Sequence, residues 1–176
     1  MTKRIARATA LVVLTGVMLV AALKMGRWLL DRETCFRKLC SVDLALQMYE
    51  WGSTGMCPDH LEDLGHYVDG ALSCPGVHGL SRQTGCHSQR VDYIYVAYVR
   101  PIPSNSVPVV ICPPINHGGW GGHVLTAEHD ILWHGASEMD KIITEVYMRV
   151  RTNHCKVIVG PELERRSRGR YTSLSE

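Results

Sequence analysis

The chain has 176 residues, a net charge of +2, seven cysteines and nine histidines. So small a charge leaves no electrostatic footprint for nucleic acid, and none is expected as a partner. An odd number of cysteines excludes complete intrachain pairing.

The N-terminal stretch organises everything that follows. Ala8 to Leu23 carries no charge, and stepping back to Ile5 adds only Arg7. At ~1.5 Å per residue, a helix over this run reaches roughly 28 Å, close to the hydrocarbon thickness of a bilayer. Ile5, Leu11, Val12, Leu14, Val17, Leu19 and Leu23 are the expected lipid-facing residues, and the bilayer is the expected partner. Trp28 follows at the position that suits the headgroup level. A cleaved signal peptide ending near Val20-Ala21-Ala22 and burial of the run in a cytosolic protein stay open as rival readings. Lys3, Arg4 and Arg7 precede the run and Lys24, Arg27, Arg32, Arg37 and Lys38 follow it, so charge counting gives no orientation.

Beyond the run, Cys35, Leu39, Val42, Leu46 and Tyr49 recur at steps of four, three, four and three. That spacing predicts one helix face packed on a sheet. Gly52 to Gly55 stops the helix. Asp59 is the expected N-cap of a short helix through Leu64. Val77 to Arg90 reads as an irregular loop. Val91–Val99 and Val107–Cys112 read as strands separated by a Pro101–Ser106 turn, and His123–Thr126 with Ile131–His134 as a hairpin. Ser137 is expected to cap a helix running to about Arg151, and Cys155–Val159 forms a last strand. The fold class is therefore α+β: a long N-terminal helix on a small antiparallel sheet, with a second, C-terminal helix. Residues 1–30 form the anchor and its flanks, 31–160 the globular domain, and 161–176 a disordered basic tail.

Leu44-Ala45-Leu46-Gln47-Met48-Tyr49 lies nine residues after Cys35 and is followed by Cys74-Pro75. Tyr93-Ile94-Tyr95, Asn116-His117-Gly118-Gly119 and the segment from His123 to Trp133 come next. In this order the pieces resemble the pilin-like, type II secretion pseudopilin-like proteins common in planctomycetes. The resemblance spans roughly residues 8 to 150. It implies a non-enzymatic, single-pass protein of the inner (cytoplasmic) membrane with its domain outside the cytoplasm. It also implies kinship with minor subunits of secretion or pilus-type assemblies, and other pilin-like subunits as partners. Two departures stand out. The prepilin peptidase site is absent, and no glutamate occurs in the first thirty-two residues. A stand-alone exported binding or metal-holding module of the same architecture is the alternative. The family's Asp-Gly in the closing hairpin is replaced by Glu128-His129, which predicts a turn longer than two residues or of another type.

The two recurrent cysteines of the family correspond to Cys35 and Cys74, so the resemblance implies a disulfide between them. Cys86–Cys112 and Cys40–Cys57 are further pairings to consider, on plausible proximity alone. Small buried thiols are the plainer reading of several of these cysteines. His117, His123, Glu128 and His129 form a candidate metal set on facing hairpin arms. Cys74, His78, Cys86 and His87 form another, with a spacing that matches no zinc pattern. No nucleophile elbow, zinc-protease helix or phosphate-cradling glycine loop is present, so neither catalytic residues nor a cofactor are expected.

Overall fold

The computed structural model describes residues 2–53, 57–68, 72–75, 92–98, 107–150 and 155–173. The Val77 to Arg90 loop, the Pro101–Ser106 turn and the residues His78, Cys86 and His87 lie outside them.

A single helix, α1 (Thr2–Gly52), runs without a break. At ~1.5 Å per residue its length is about 76 Å. Its two halves have different surroundings. From Leu11 to Leu30 every large apolar side chain except Trp28 is exposed, on all sides of the helix. Beyond that, Cys35, Leu39, Val42, Ala45 and Leu46 are buried, while Leu44 and Met48 on the opposite face stay exposed. Tyr49, the last member of the expected stripe, is partly buried against the same cluster. The helix is long and apolar enough to cross a membrane near the N-terminus.

Five strands form one antiparallel sheet: β1 (Ile94–Tyr98), β2 (Pro108–Ile111), β3 (Gly121–Thr126), β4 (Ile131–Gly135) and β5 (Cys155–Val159). Their order is β4-β3-β2-β1-β5. Strand alternation divides the side chains between two layers. Tyr93, Tyr95, Val110, Cys112 and Leu125 face α1. Ile94, Val96, Ile111, Val124 and Val157 face the helix α2 (Ala136–Val150), which buries Met139, Ile143, Val146 and Val150. The architecture is thus helix, sheet, helix, and the α+β class with its long first helix is as the sequence implied. Lys38 on α1 donates to the Ser73 carbonyl at 2.7 Å, pinning the segment that carries Cys74 against the helix.

Several local expectations are corrected. The short helix is a 3-10 turn, Leu61–His66, preceded by His60 rather than Asp59 as its cap. The His60 amide donates to the Asp63 carboxylate at 2.9 Å. Helix α2 begins at Ala136, so Ser137 lies inside its first turn. The 161–176 segment is no disordered tail among its described residues. It opens with α3 (Pro161–Arg166) and buries Leu163 and Tyr171 in the α2-side core. Two apolar anchors among the arginines were enough to dock it.

The hairpin turn is longer than two residues, as expected from Glu128-His129. The Thr126 amide bonds the Asp130 carbonyl at 2.9 Å, the His129 amide bonds the Thr126 carbonyl at 3.0 Å, and His129 has φ 71°. This is a three-residue connection ending in a left-handed residue, a place where glycine is the usual occupant. His129 is held there by Asp43 of α1, 2.7 Å from its Nδ1.

Leu39→Ala should cost about 2–5 kcal/mol of stability, the range for emptying a buried leucine site. Leu44→Ala, on the exposed face of the same helix, should stay within about 0.5 kcal/mol. Denaturant titration of the detergent-solubilised protein checks both, and equal losses would contradict the one-sided packing.

Candidate metal centre

Four elements deliver one side chain each to a point between α1 and the sheet. Cys35 comes from the inner stripe of α1, and Cys74 from the segment that Lys38 pins. Cys112 directly follows β2 and faces α1 by strand alternation. His117 ends a 3-10 turn, Pro114–His117, which Pro113 precedes and Gly118 terminates at φ 65°. That turn folds the chain back so that His117 meets Cys112 five residues earlier. The glycine is needed, because a left-handed residue lets the chain leave the turn at once.

Cys35, Cys74, Cys112 and His117 are all buried, and their ligand atoms lie within 4.8 Å of one another. The Sγ atoms of Cys74 and Cys112 are 3.4 Å apart. His117 Nε2 is 3.3 Å from Cys112 Sγ and 3.6 Å from Cys74 Sγ. A tetrahedral zinc ion bound at its ordinary bond lengths would hold sulfur ligands about 3.8 Å apart. The observed set needs adjustments of an ångström or less to reach that arrangement. Three sulfurs and one imidazole nitrogen make a Cys3His donor set, and full burial matches the closed, structural kind of zinc site.

The electrostatics of the nest favour one thiolate. Cys74 is held far below the ordinary thiol range by hydrogen bonds from Cys112 and Cys35, with His117 adding to this. Cys112 is pushed well up by burial, then by its two sulfur neighbours. At Cys35 the Cys112 contact favours the thiolate, but Cys74 and burial outweigh it and raise the group. An apolar pocket resists three negative sulfurs at once, and a divalent cation is what would permit them.

An outer ring of polar groups braces the donors. The Asp92 carboxylate accepts the Cys74 amide at 3.2 Å. Asn116 donates to the Asp92 carbonyl at 2.6 Å and lies 3.5 Å from Cys112 Sγ. Arg166 of α3 donates to the Asp92 carboxylate at 3.0 Å and to the Asn116 side-chain oxygen at 2.8 Å. Such outer contacts orient the ligands of a metal site. Gly122 is equally constrained: a Cβ there would lie 1.8 Å from the Cys112 carbonyl, so β3 can pass behind the cysteine only as glycine.

The expected site residues are distributed differently from the sequence reading. The Cys35–Cys74 disulfide is not formed. Both are free thiols in a nest that also holds Cys112 and His117, where pairing two sulfurs would strand the third. Cys40 and Cys57 are not joined by a disulfide either: Cys40 faces solvent, and the Cys57 thiol donates to the Glu50 carboxylate at 3.4 Å. Cys112 is a free thiol too, and its suggested partner Cys86 lies outside the described residues.

The metal set His117, His123, Glu128 and His129 is split. His117 joins the cysteines. His123 lies beside it, ring centroids 6.2 Å apart, among Phe36 and Trp133. Burial, then the neighbouring His117 and Arg32, lower His123 to about 4, so it is neutral at physiological pH. Glu128 and His129 sit exposed at the far end of the hairpin.

Reading the sequence missed the mixed donor set, since its ligands come from four segments. The legible signals were Cys112-Pro-Pro-Ile-Asn-His117, a turn-forming Cys-x4-His, and Cys35 on the buried stripe. No protein-family model matches the chain, and neither a curated protein nor a solved structure is significantly similar to it.

Arg166→Met should destabilise the domain by about 3–5 kcal/mol, because it breaks the Arg166–Asp92 ion pair at a buried carboxylate. Lys141→Met, on the exposed face of α2, should change stability by less than about 0.5 kcal/mol. Thermal or denaturant unfolding distinguishes the two, and a neutral Arg166→Met would remove the bracing role.

Proposed function

We propose that this chain is a non-enzymatic, single-pass membrane protein that presents a metal-tied α+β domain outside the cytoplasm. The observation that carries this reading is the convergence of Cys35, Cys74, Cys112 and His117, from four separate elements, within 4.8 Å in the core. Zinc is the ion of choice. Thiolate and imidazole suit it, a closed four-ligand shell suits a structural role, and its chemistry involves no redox step. The ion would hold the handle of α1 to the end of β2 and to the Cys74 segment. The domain would then keep a fixed attitude on its rod.

The uncharged run Ala8–Leu23 of α1 supports the membrane anchor. A water-soluble protein seldom leaves so long an apolar surface uncovered. The inner membrane and the extracytoplasmic position of the domain follow from the pilin resemblance. In an oxidising compartment, bound zinc would also keep Cys74 and Cys112 from oxidation, since a coordinated thiolate is a weaker nucleophile.

A second reading is a minor subunit of a pilus-type or secretion assembly, with pilin-like subunits as partners. The long helix packed by its second half on the sheet favours it. The absence of glutamate from the first thirty-two residues favours the stand-alone module. Co-purification with filament subunits would support assembly.

Elemental analysis of protein purified without chelator should find stoichiometric zinc, and Cys112→Ser should abolish it. Asn116→Ala should weaken zinc binding by about 10–100-fold, as loss of an outer-sphere partner does. Chelation should lower the unfolding temperature of the wild type and leave Cys112→Ser unchanged. A metal-free protein with three free thiols, or with a Cys35–Cys74 disulfide by non-reducing mass spectrometry, would sink the metal reading. A topology reporter fused after Glu176 tests the compartment.

A further inference from the structure

Three of the four tryptophans gather where α1 leaves its apolar run. The ring of Trp28 on α1 lies 6.5 Å from that of Trp120 and 5.8 Å from that of Trp133. Arg32, one turn further along α1, stacks over Trp133 at 4.8 Å and Trp28 at 5.8 Å. The indole nitrogen of Trp28 is buried, so Trp28 serves as the platform of this cluster. Trp120 does not share that burial. It is 69 % exposed, on the glycine-flanked connection between the 3-10 turn and β3.

The position of this cluster along α1 is fixed by helix geometry. Trp28 lies five residues beyond Leu23, the last residue of the charge-free run. At ~1.5 Å per residue that is about 7 Å, within the headgroup layer of a bilayer. Trp120, in ring contact with Trp28, is held at the same level. Indole is the side chain that partitions there most readily, its ring apolar and its N–H a donor. The charges at this level are mainly basic. Lys24, Arg27 and Arg32 stand against Asp31 and Glu33, and both Lys24 and Arg27 are exposed.

We propose that Trp120 is a second membrane contact of the domain, seated in the headgroup layer of an anionic phospholipid leaflet beside Lys24 and Arg27. The inference rests on α1 spanning the bilayer, and it adds that the globular domain itself leans on the lipid surface. The loop carrying Trp120 is continuous with His117, so this contact and the Cys/His nest share one turn.

The protein carries its own control. Trp51, 84 % exposed, lies near the end of α1, twenty-three residues beyond Trp28. That is about 35 Å further from the membrane along a straight helix. The experiment uses the full-length chain in nanodiscs of phosphatidylglycerol and phosphatidylcholine containing lipid brominated near the headgroup. Four single-tryptophan proteins are made by replacing the other tryptophans with Phe, and their folding is checked by circular dichroism. Should any fail to fold, 5-fluorotryptophan in the wild type, with paramagnetic headgroup lipid, gives the same readout by fluorine NMR.

Emission from Trp120 and Trp28 should fall by roughly half while Trp51 is unaffected, as expected for residues in and out of the interface. Replacing Lys24 and Arg27 with Gln should reduce the Trp120 quenching in phosphatidylglycerol to its level in phosphatidylcholine. Quenching of Trp28 without Trp120 overturns the proposal and leaves the anchor intact. Quenching of neither overturns the anchor as well. Equal quenching of Trp51 and Trp120 overturns the proposal by showing a domain lying flat on the bilayer, and equal quenching in both lipids overturns the anionic preference.

Discussion

The inner stripe of α1 has to be covered, and most of the domain follows from how that is done. Cys35, Leu39, Val42, Ala45 and Leu46 form an apolar line along a rod whose opposite face is exposed at this level. Burying such a line is favourable by roughly 25 cal/mol per Å² of apolar surface removed from water. The sheet meets it with Tyr93, Tyr95, Val110, Cys112 and Leu125, every second residue of the strands concerned. Because strand side chains alternate, that choice commits Ile94, Val96, Ile111 and Val124 to the other face. Helix α2 and the α3 segment then become necessary to cover them. A helix on each side of a single sheet is the outcome.

The same line carries the donor nest. Cys35 is both a core residue and one of four candidate ligands, so packing and coordination share a side chain. The nest is also where the core departs from ordinary hydrophobic packing. Three thiols, an imidazole, the buried Asp92 carboxylate and Asn116 cluster among apolar side chains. Buried polar groups are costly unless each finds a partner. The Arg166–Asp92–Asn116 network partners the outer groups. A metal ion would partner the inner ones, which no described residue neutralises together. Arg166 also explains why the C-terminal segment folds back: α3 brings the cation that the buried carboxylate requires.

Glycine and proline set the shape of the nest. Pro113 and Pro114 start the 3-10 turn, Gly118 ends it, and Gly122 lets β3 pass within contact distance of the Cys112 carbonyl. The same short segment carries Trp120 out to the level where α1 leaves its apolar run. Geometry at the candidate metal site and at the tryptophan cluster is therefore decided by one connection of a few residues.

Much of this architecture was legible in the sequence. The uncharged run from Ala8 to Leu23, the four-three spacing from Cys35 to Tyr49, and the β-branched strands are local patterns with direct physical meaning. Glu128-His129 likewise announced a turn longer than two residues. Contacts between residues far apart in the chain were not legible. The nest joins residues 35, 74, 112 and 117, and no local spacing encodes their meeting. The resemblance supplied two of those cysteines as a disulfide, because a pair is the simplest use for two thiols. The sheet register and the turn after β2 brought a third sulfur and an imidazole to the same point. The C-terminal arginines read as a solvated tail on composition. The tertiary structure instead docks Leu163 and Tyr171 in the core and turns Arg166 toward Asp92, since a buried carboxylate 74 residues away needed a cation.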